Sequence, residues 1–529
     1  MRKQTLLLGT VGLVFSSLSM TGCGQRQMKA DVYDKDNNLL IDMRHLYFDK
    51  YSGGDYYQEQ LEKKFKVRIT FQPYNYANWN EQVNGEVNGD NCHDVFHANI
   101  TNYNFVNYYC TWAKDEILKP LPDDLTRWPN LKNVIDHTSN IDALKINGKL
   151  YGIPIAKNTT DFSTNFSPFT YMYRRDWAKQ WGVYQENDEY TWSQFETLLQ
   201  TFKDHLDTTK GQYALCDVEW GYPSITNFYK QVPHCYAQDK TTGKYVNNYQ
   251  TDEYIAGLNK SREFQSKGYY YLSPNTLRDG DAREFYCSSK FGVLYENVSY
   301  SNYKATRNRI EELNPDKDIN FLNDATALMK IKNEDGQYCL EGTDNWFSMT
   351  LFDFKISDTK LEKILDILDW LLGEEGTAYA MYGEEGYDYT KDPVTGKINL
   401  VPERWYDSDG KPIERQNGPK ALRYLASLGY DTLADDPTVE QYAIDYLNDW
   451  EAKMKTAYAN GQLRVLKESD EVMWLNTPLK SKYSEGMRSG ALLGAMSVCL
   501  GTMSTDSFKG SFGYPWSEVL NEINTALHK

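Results

Sequence analysis

Aromatic rings and hydrogen-bonding edges recur together at several points of this chain. The stretches are NITNYNF at 99–105, EWGYPSITNFY at 219–229, LYENVSY at 294–300 and GTDNWF at 342–347. Each places a phenol or indole within a few residues of an amide or carboxylate. That mixture suits a solute with flat apolar C–H faces and a rim of hydroxyls, such as a pyranose, because rings cover the faces while Asp, Glu and Asn meet groups that both donate and accept. The overall usage points the same way: 42 Tyr stand against 21 Phe and 13 Trp, so most rings carry a polar tip. The candidate ligand residues are therefore Asn102, Tyr103, Trp220, Tyr222, Tyr295, Glu296 and Trp346, with Trp79 added below.

Each candidate has a plainer role to weigh against it. Trp220 and Tyr222 flank a turn, where rings also cover a core. Tyr295 and Glu296 adjoin an apolar strand, where a carboxylate can simply be paired structurally. Trp79 falls on a helical face, the usual position of a core residue. Arg174, Arg175 and Asp176 read as an ion pair rather than as ligand contacts.

Catalytic chemistry finds less support. A glycosidase needs two carboxylates about 5–9 Å apart, and the doublets Glu374/Glu375 and Glu384/Glu385 point in different directions on a helix. No GxSxG, HExxH or P-loop occurs. Cys92, His93 and His97 lie close together, but the segment reads as a strand, which does not bring i and i+4 side chains to one metal as a helix does, so no metal or other cofactor is expected. DPVTGK at 392–397 and DSDGKP at 407–412 read as hairpin turns, since the twelve-residue calcium-loop spacing is missing.

The amino terminus sets the compartment. Arg2 and Lys3 precede an uncharged apolar run at 6–15, about half the length a membrane-spanning helix needs, and small and polar residues lead to Cys23. Met20-Thr21-Gly22-Cys23 resembles a bacterial lipobox, which implies a signal peptide over 1–22, acylation of Cys23, and a tether over 23–35 holding the chain on the outer face of a cell membrane. Removing Cys23 leaves seven cysteines, an odd number, so buried free thiols are favoured over a disulfide framework; Cys92 with Cys110 and Cys216 with Cys235 are the pairs to test. The net charge of −17 argues against nucleic acid and against an anionic membrane patch. The chain is too long for one core, so two lobes or more are expected.

The elements that must position the candidates begin with a strand near 41–48. A helix capped by Asp55 with Gln58 three residues on, a strand at 67–71, a helix at 79–87 and a strand at 94–98 follow. Strand and helix alternate, which favours a parallel sheet with crossover helices, and ligands then bind beyond the carboxyl ends of the strands, where 99–104 lies.

Longer motifs make a resemblance specific. GDNCHDVF at 89–96, ILKPLPDDL at 117–125, INGKLYGIPIA at 146–156, YMYRRDWAKQWGV at 171–183 before Thr191-Trp192, FGVLYENVSY at 291–300 and ILDWLLGEEGTAYAMYGEEG at 367–386 occur in the order seen in extracellular solute-binding proteins of family 1. That group includes maltose-binding proteins and many Gram-positive sugar-binding lipoproteins. The resemblance implies an α/β, two-lobed periplasmic-binding-protein-like (type II) fold with hinge strands and a central cleft. It implies lobe 1 at 36–157 plus 291–345, lobe 2 at 165–285 plus 355–529, and hinge crossings at 158–164, 286–290 and 346–354. It further implies a monomer that binds a carbohydrate reversibly, without turnover, and hands it to the membrane permease subunits of an ABC importer. Trp79 joins the candidates because the family carries an aromatic near that helix start. One departure is KDHLDTTKGQ at 203–212 where many such lipoproteins carry Asp-Pro-Asp-Gly-Asn-Gly, which weakens the expectation of a metal-stiffened loop. The stretch 392–436 has no counterpart. A surface-anchored glycan hydrolase or lyase, a glycan sensor or adhesin, and a cleft for amino acids or peptides are the competing readings.

Overall fold

A computed structural model describes residues 27–46, 56–75, 78–99, 103–156, 169–216, 234–271, 280–408, 441–510 and 513–529. The first sheet has five strands. Leu39–His45 pairs in parallel with Val67–Pro73 on one side and Val95–Ala98 on the other, in the register Leu39 with Val67 and Met43 with Val95. The Trp346–Phe352 strand then enters antiparallel between Val95–Ala98 and Gly152–Ala156. The edge strand Val67–Pro73 alternates buried Val67 and Ile69 with exposed Arg68 and Thr70, whereas all four residues of the central Val95–Ala98 are buried, as expected of a strand covered on both faces.

The second sheet has four strands in the order Ala327–Leu328, Phe169–Tyr173, Phe291–Asn297 and Tyr213–Cys216. Its covering helix Trp192–His205 starts at Thr191, whose hydroxyl accepts from the Gln194 N–H while the Gln194 side chain returns to the Thr191 N–H, a reciprocal cap. The face it buries, Trp192, Phe195, Leu198, Leu199 and Phe202, follows the 3.6-residue period. It seats closely because Gly292 has no side chain: a Cβ there would lie 2.2 Å from a ring carbon of Phe202.

The partition between lobes differs from the sequence-based boundaries. Phe291–Asn297 pairs over five residues with Phe169–Tyr173, so 291–345 belongs largely to lobe 2. Trp346–Phe352 is a strand of the first sheet. The helix Asp358–Leu372 packs Leu361, Ile364, Leu365, Ile367, Leu368 and Leu371 into the core of lobe 1. The segment after it stays there too, because buried Asp388 accepts from the Tyr57 hydroxyl, the Glu384 N–H and Arg404. Residues 286–290 lie within lobe 2, where Ser289 accepts from the Arg174 guanidinium. Apolar strands look alike in sequence, and only their pairing partners separate the two sheets. The crossing expected at 158–164 lies outside the described residues, as do Asp55, the signal and tether residues up to 26, and the whole of 409–436.

Lobe 2 is completed by Gln441–Ala459 against the second sheet, and by a satellite core in which Pro478–Leu500 and Trp516–Ala526 enclose Tyr249, Tyr254 and Leu258. The DPVTGK turn closes a hairpin between Tyr389–Lys391 and Ile398–Leu400, with Asp392 accepting from the Val394 and Thr395 N–H groups. The seven cysteines outside the signal region are all buried thiols that form no disulfide, and burial pushes the Cys92 and Cys287 thiols up to about 12, so these two are poor nucleophiles.

Candidate functional site

Where the chain returns from lobe 2 to the first sheet, the turn 342–345 leads into Trp346. Asn345 fixes this turn by accepting from the Ser139 N–H at 2.9 Å and donating to the His137 carbonyl at 2.8 Å. The Trp346 indole N–H donates to the Ser139 carbonyl at 3.0 Å. Asp344 accepts from Asn140 of lobe 1 and from Lys467 of lobe 2, both at 2.8 Å, so the turn is tied to both lobes.

Against this turn lies a cavity of about 410 Å³ whose lining comes from both lobes. Asn99, just beyond the Val95–Ala98 strand, Asp344 and Trp346 contribute from the first side. His234, Glu341, Lys467, Glu468, Met473, Trp474 and Arg488 contribute from the second. The volume falls within the range of about 300–1,000 Å³ usual for small-molecule sites. Trp346 itself is fully buried and stacks on Trp474, with ring centroids 5.5 Å apart at 24°. The half-buried Trp474 is therefore the ring that a ligand can reach.

The wall bearing Trp474 is held from behind. Lys480, 3 % exposed, donates to the Met473 carbonyl at 3.1 Å, and burial brings its ammonium down to about 8, opposed by the Glu468 carboxylate. Glu468 accepts from the Tyr236 N–H at 3.1 Å. Lys467 is engaged by two carboxylates, Asp344 at 2.8 Å and Asp470 at 2.6 Å, and its pKa is raised in spite of its burial. Burial, aided by the positive charges of Arg488 and Lys467, drives the His234 imidazole down to about 3, so it is neutral at ordinary pH. Near by, Asn107 on the lobe 1 helix Tyr103–Lys114 donates to the Ser481 carbonyl of Pro478–Leu500 at 3.0 Å, a further contact between the lobes.

The sequence candidates separate on this geometry. Trp346 lines the cavity, though its ring is packed under Trp474. Trp79 is core: it is 6 % exposed, donates to the His97 carbonyl at 2.8 Å, and packs against the His97 ring. Tyr295 is buried against Tyr171, with ring centroids 5.2 Å apart. Glu296, 1 % exposed, is paired with Arg283 at 3.1 Å and accepts from the Asn297 N–H, so both residues take the structural role. Tyr103 begins a helix at the carboxyl end of the first sheet. Asn102, Trp220, Tyr222 and Cys23 lie outside the described residues. His97 packs on His45 and bonds Ser348, and no group of three or more possible metal ligands occurs among the described residues. Arg174 pairs with Asp176 at 2.5 Å, and Arg175 with Asp188, as structural ion pairs.

The chain matches no protein-family model, and no curated protein is similar to it in sequence. Its fold does have solved counterparts. The alginate-binding protein AlgQ2 without calcium ion aligns at a TM-score of 0.60 and 13 % identity over 92 % of this chain and 94 % of that one. FusA, an ABC-transporter substrate-binding protein of S. pneumoniae, as an EF-hand mutant with fructo-nystose, aligns at 0.58 and 14 % over 92 % and 96 %. A solute-binding protein of Bifidobacterium longum infantis, described as HMO-binding and associated with an ABC transporter, aligns at 0.53 and 12 % over 92 % and 96 %. The chain has the two-lobed solute-binding-protein fold.

In that fold the cavity sits where the two lobes face each other, and the residues that sequence reasoning passed over are those of the far wall. Lys467, Glu468, Trp474 and Arg488 lie far along the chain from the stretches that drew attention, whereas His234 stands just beyond EWGYPSITNFY at 219–229. A signal was present for one of them: MWLNTP at 473–478 sets Trp474 beside an amide and a helix-starting Thr-Pro, the same mixture of ring and polar edge used to choose the other stretches.

Proposed function

We propose that this chain is the extracellular substrate-binding subunit of an ABC importer, binding an oligosaccharide reversibly between its lobes and releasing it unaltered to the membrane permease. The observation that carries the reading is the cavity itself: both lobes line it, and it combines an accessible indole with carboxylates, an amide, an imidazole and cations. Solved proteins of this fold described as binding alginate, bound to fructo-nystose, or described as HMO-binding support the carbohydrate class. Closure of the two lobes around a solute is the hinge motion open to such an architecture.

No helix among the described residues is long and apolar enough to cross a membrane, and the reading places the anchor instead in the acylated Cys23. Labelled palmitate should enter the chain in a bacterial host and fail to enter Cys23→Ser; equal labelling of both would remove the anchor. For the function, the melting temperature is followed against a panel of plant and host oligosaccharides. Ligand at a hundred times its dissociation constant should stabilise the chain by about 2.7 kcal/mol. Stabilisation by amino acids or peptides and by no saccharide would refute the carbohydrate reading.

A further inference from the structure

Two residues of the cavity lining each carry a buried polar atom with no partner among the described residues: the indole Nε1 of Trp474 and the Nε2 of His234. Buried polar groups are ordinarily satisfied, and an orphan in a cleft marks a place where a ligand atom completes the bonding. Trp346, by contrast, already uses its N–H on Ser139, so the two stacked indoles are not equivalent. Trp346 is the support and Trp474 holds the unspent donor.

The chemistry of the missing partner follows from these two atoms together. An indole N–H only donates, and a neutral imidazole nitrogen donates or accepts according to its tautomer. Hydroxyls satisfy every combination, because one hydroxyl both donates and accepts. A carboxylate satisfies only donors, and among the described lining residues three carboxylates, Glu341, Asp344 and Glu468, outnumber two cations, Lys467 and Arg488. Lys467 is moreover already neutralised by Asp344 and Asp470.

Resting on the carbohydrate-binding reading above, we infer that His234 and Trp474 are specificity-determining residues that engage sugar hydroxyls and select a neutral saccharide over a uronate. Hydroxyls of a ring lodged against Trp474 accept from its N–H and exchange a hydrogen bond with His234. The desolvation that keeps the imidazole neutral also denies an incoming carboxylate a positive partner there.

The test is calorimetric titration of the full-length protein with neutral gluco-, fructo- and manno-oligosaccharides and with uronate oligomers of matched length. The wild type is compared with Trp474→Phe, which keeps the ring and deletes the donor, with His234→Leu, and with His234→Gln, which restores a hydrogen-bonding group. A neutral glycan should bind at least ten-fold more tightly than every uronate oligomer. Trp474→Phe and His234→Leu should each weaken it about ten-fold, and His234→Gln should recover part of the loss. Uronates binding as well as or better than neutral glycans, or wild-type affinity in both deletion variants, would overturn this inference and leave the carbohydrate reading standing. Binding of no saccharide of either kind would overturn both.

Discussion

Trp346 shows how one residue divides its functions. Its N–H anchors the returning strand to Ser139, its edge meets the cavity, and its face carries Trp474. Trp346→Ala should therefore destabilise the chain by about 3–5 kcal/mol, as buried tryptophan truncations do, and weaken saccharide binding at least ten-fold by letting Trp474 lose its register. Melting and titration of the same preparation check both, and a stability loss at unchanged affinity would show that Trp474 needs no support. GTDNWF drew attention in the sequence because a ring stood beside an amide and a carboxylate, and the structure sets that segment on the cavity. The same pattern at LYENVSY led into a core, since local composition does not tell which face of a strand meets a ligand. Glu296 with Arg283 and Trp79 with the His97 carbonyl are pairings between different elements, which local composition does not reveal.

At the scale of elements, the parallel start of the first sheet was legible because strand and helix alternate there with clean periodicity, and the Thr191 cap was legible because its partner lies only three residues on. The assignment of 291–345 and 355–408 to lobes was not, because Phe291–Asn297 and Trp346–Phe352 are similar apolar runs that join different sheets. Gly292 is the element-level constraint most open to test. Gly292→Ala forces a methyl into the Phe202 ring, and small-to-large changes in a packed core cost about 1–3 kcal/mol. The melting temperature should fall while affinity, measured well below the transition, stays within two-fold of wild type. Unchanged melting would mean that Trp192–His205 can move off the sheet freely.

Across the whole molecule, the imidazoles of His45, His97 and His234 couple stability to pH. His45 and His234 are held down to about 3, and His97 well below its usual value, each chiefly by desolvation. In the unfolded chain these groups take up protons near 6.5, whereas the folded chain keeps them neutral, so the unfolded state binds more protons as pH falls below 6.5. Their contribution is complete above 6.5 and is lost progressively between there and about 3. Melting temperature should accordingly drop between pH 6.5 and 5, before ordinary carboxylates titrate. A flat profile over that interval would show that the histidines are hydrated.

The central claim is that the two lobes grip an unreacted neutral glycan in the cavity beneath Trp474. Calorimetric titration with the best ligand of the panel, followed by mass analysis of the saccharide recovered from the cell, tests it most directly. A single saturable site and a ligand returned at its original mass are predicted; a shortened, unsaturated or hydrated product, or heat that never saturates, would contradict it.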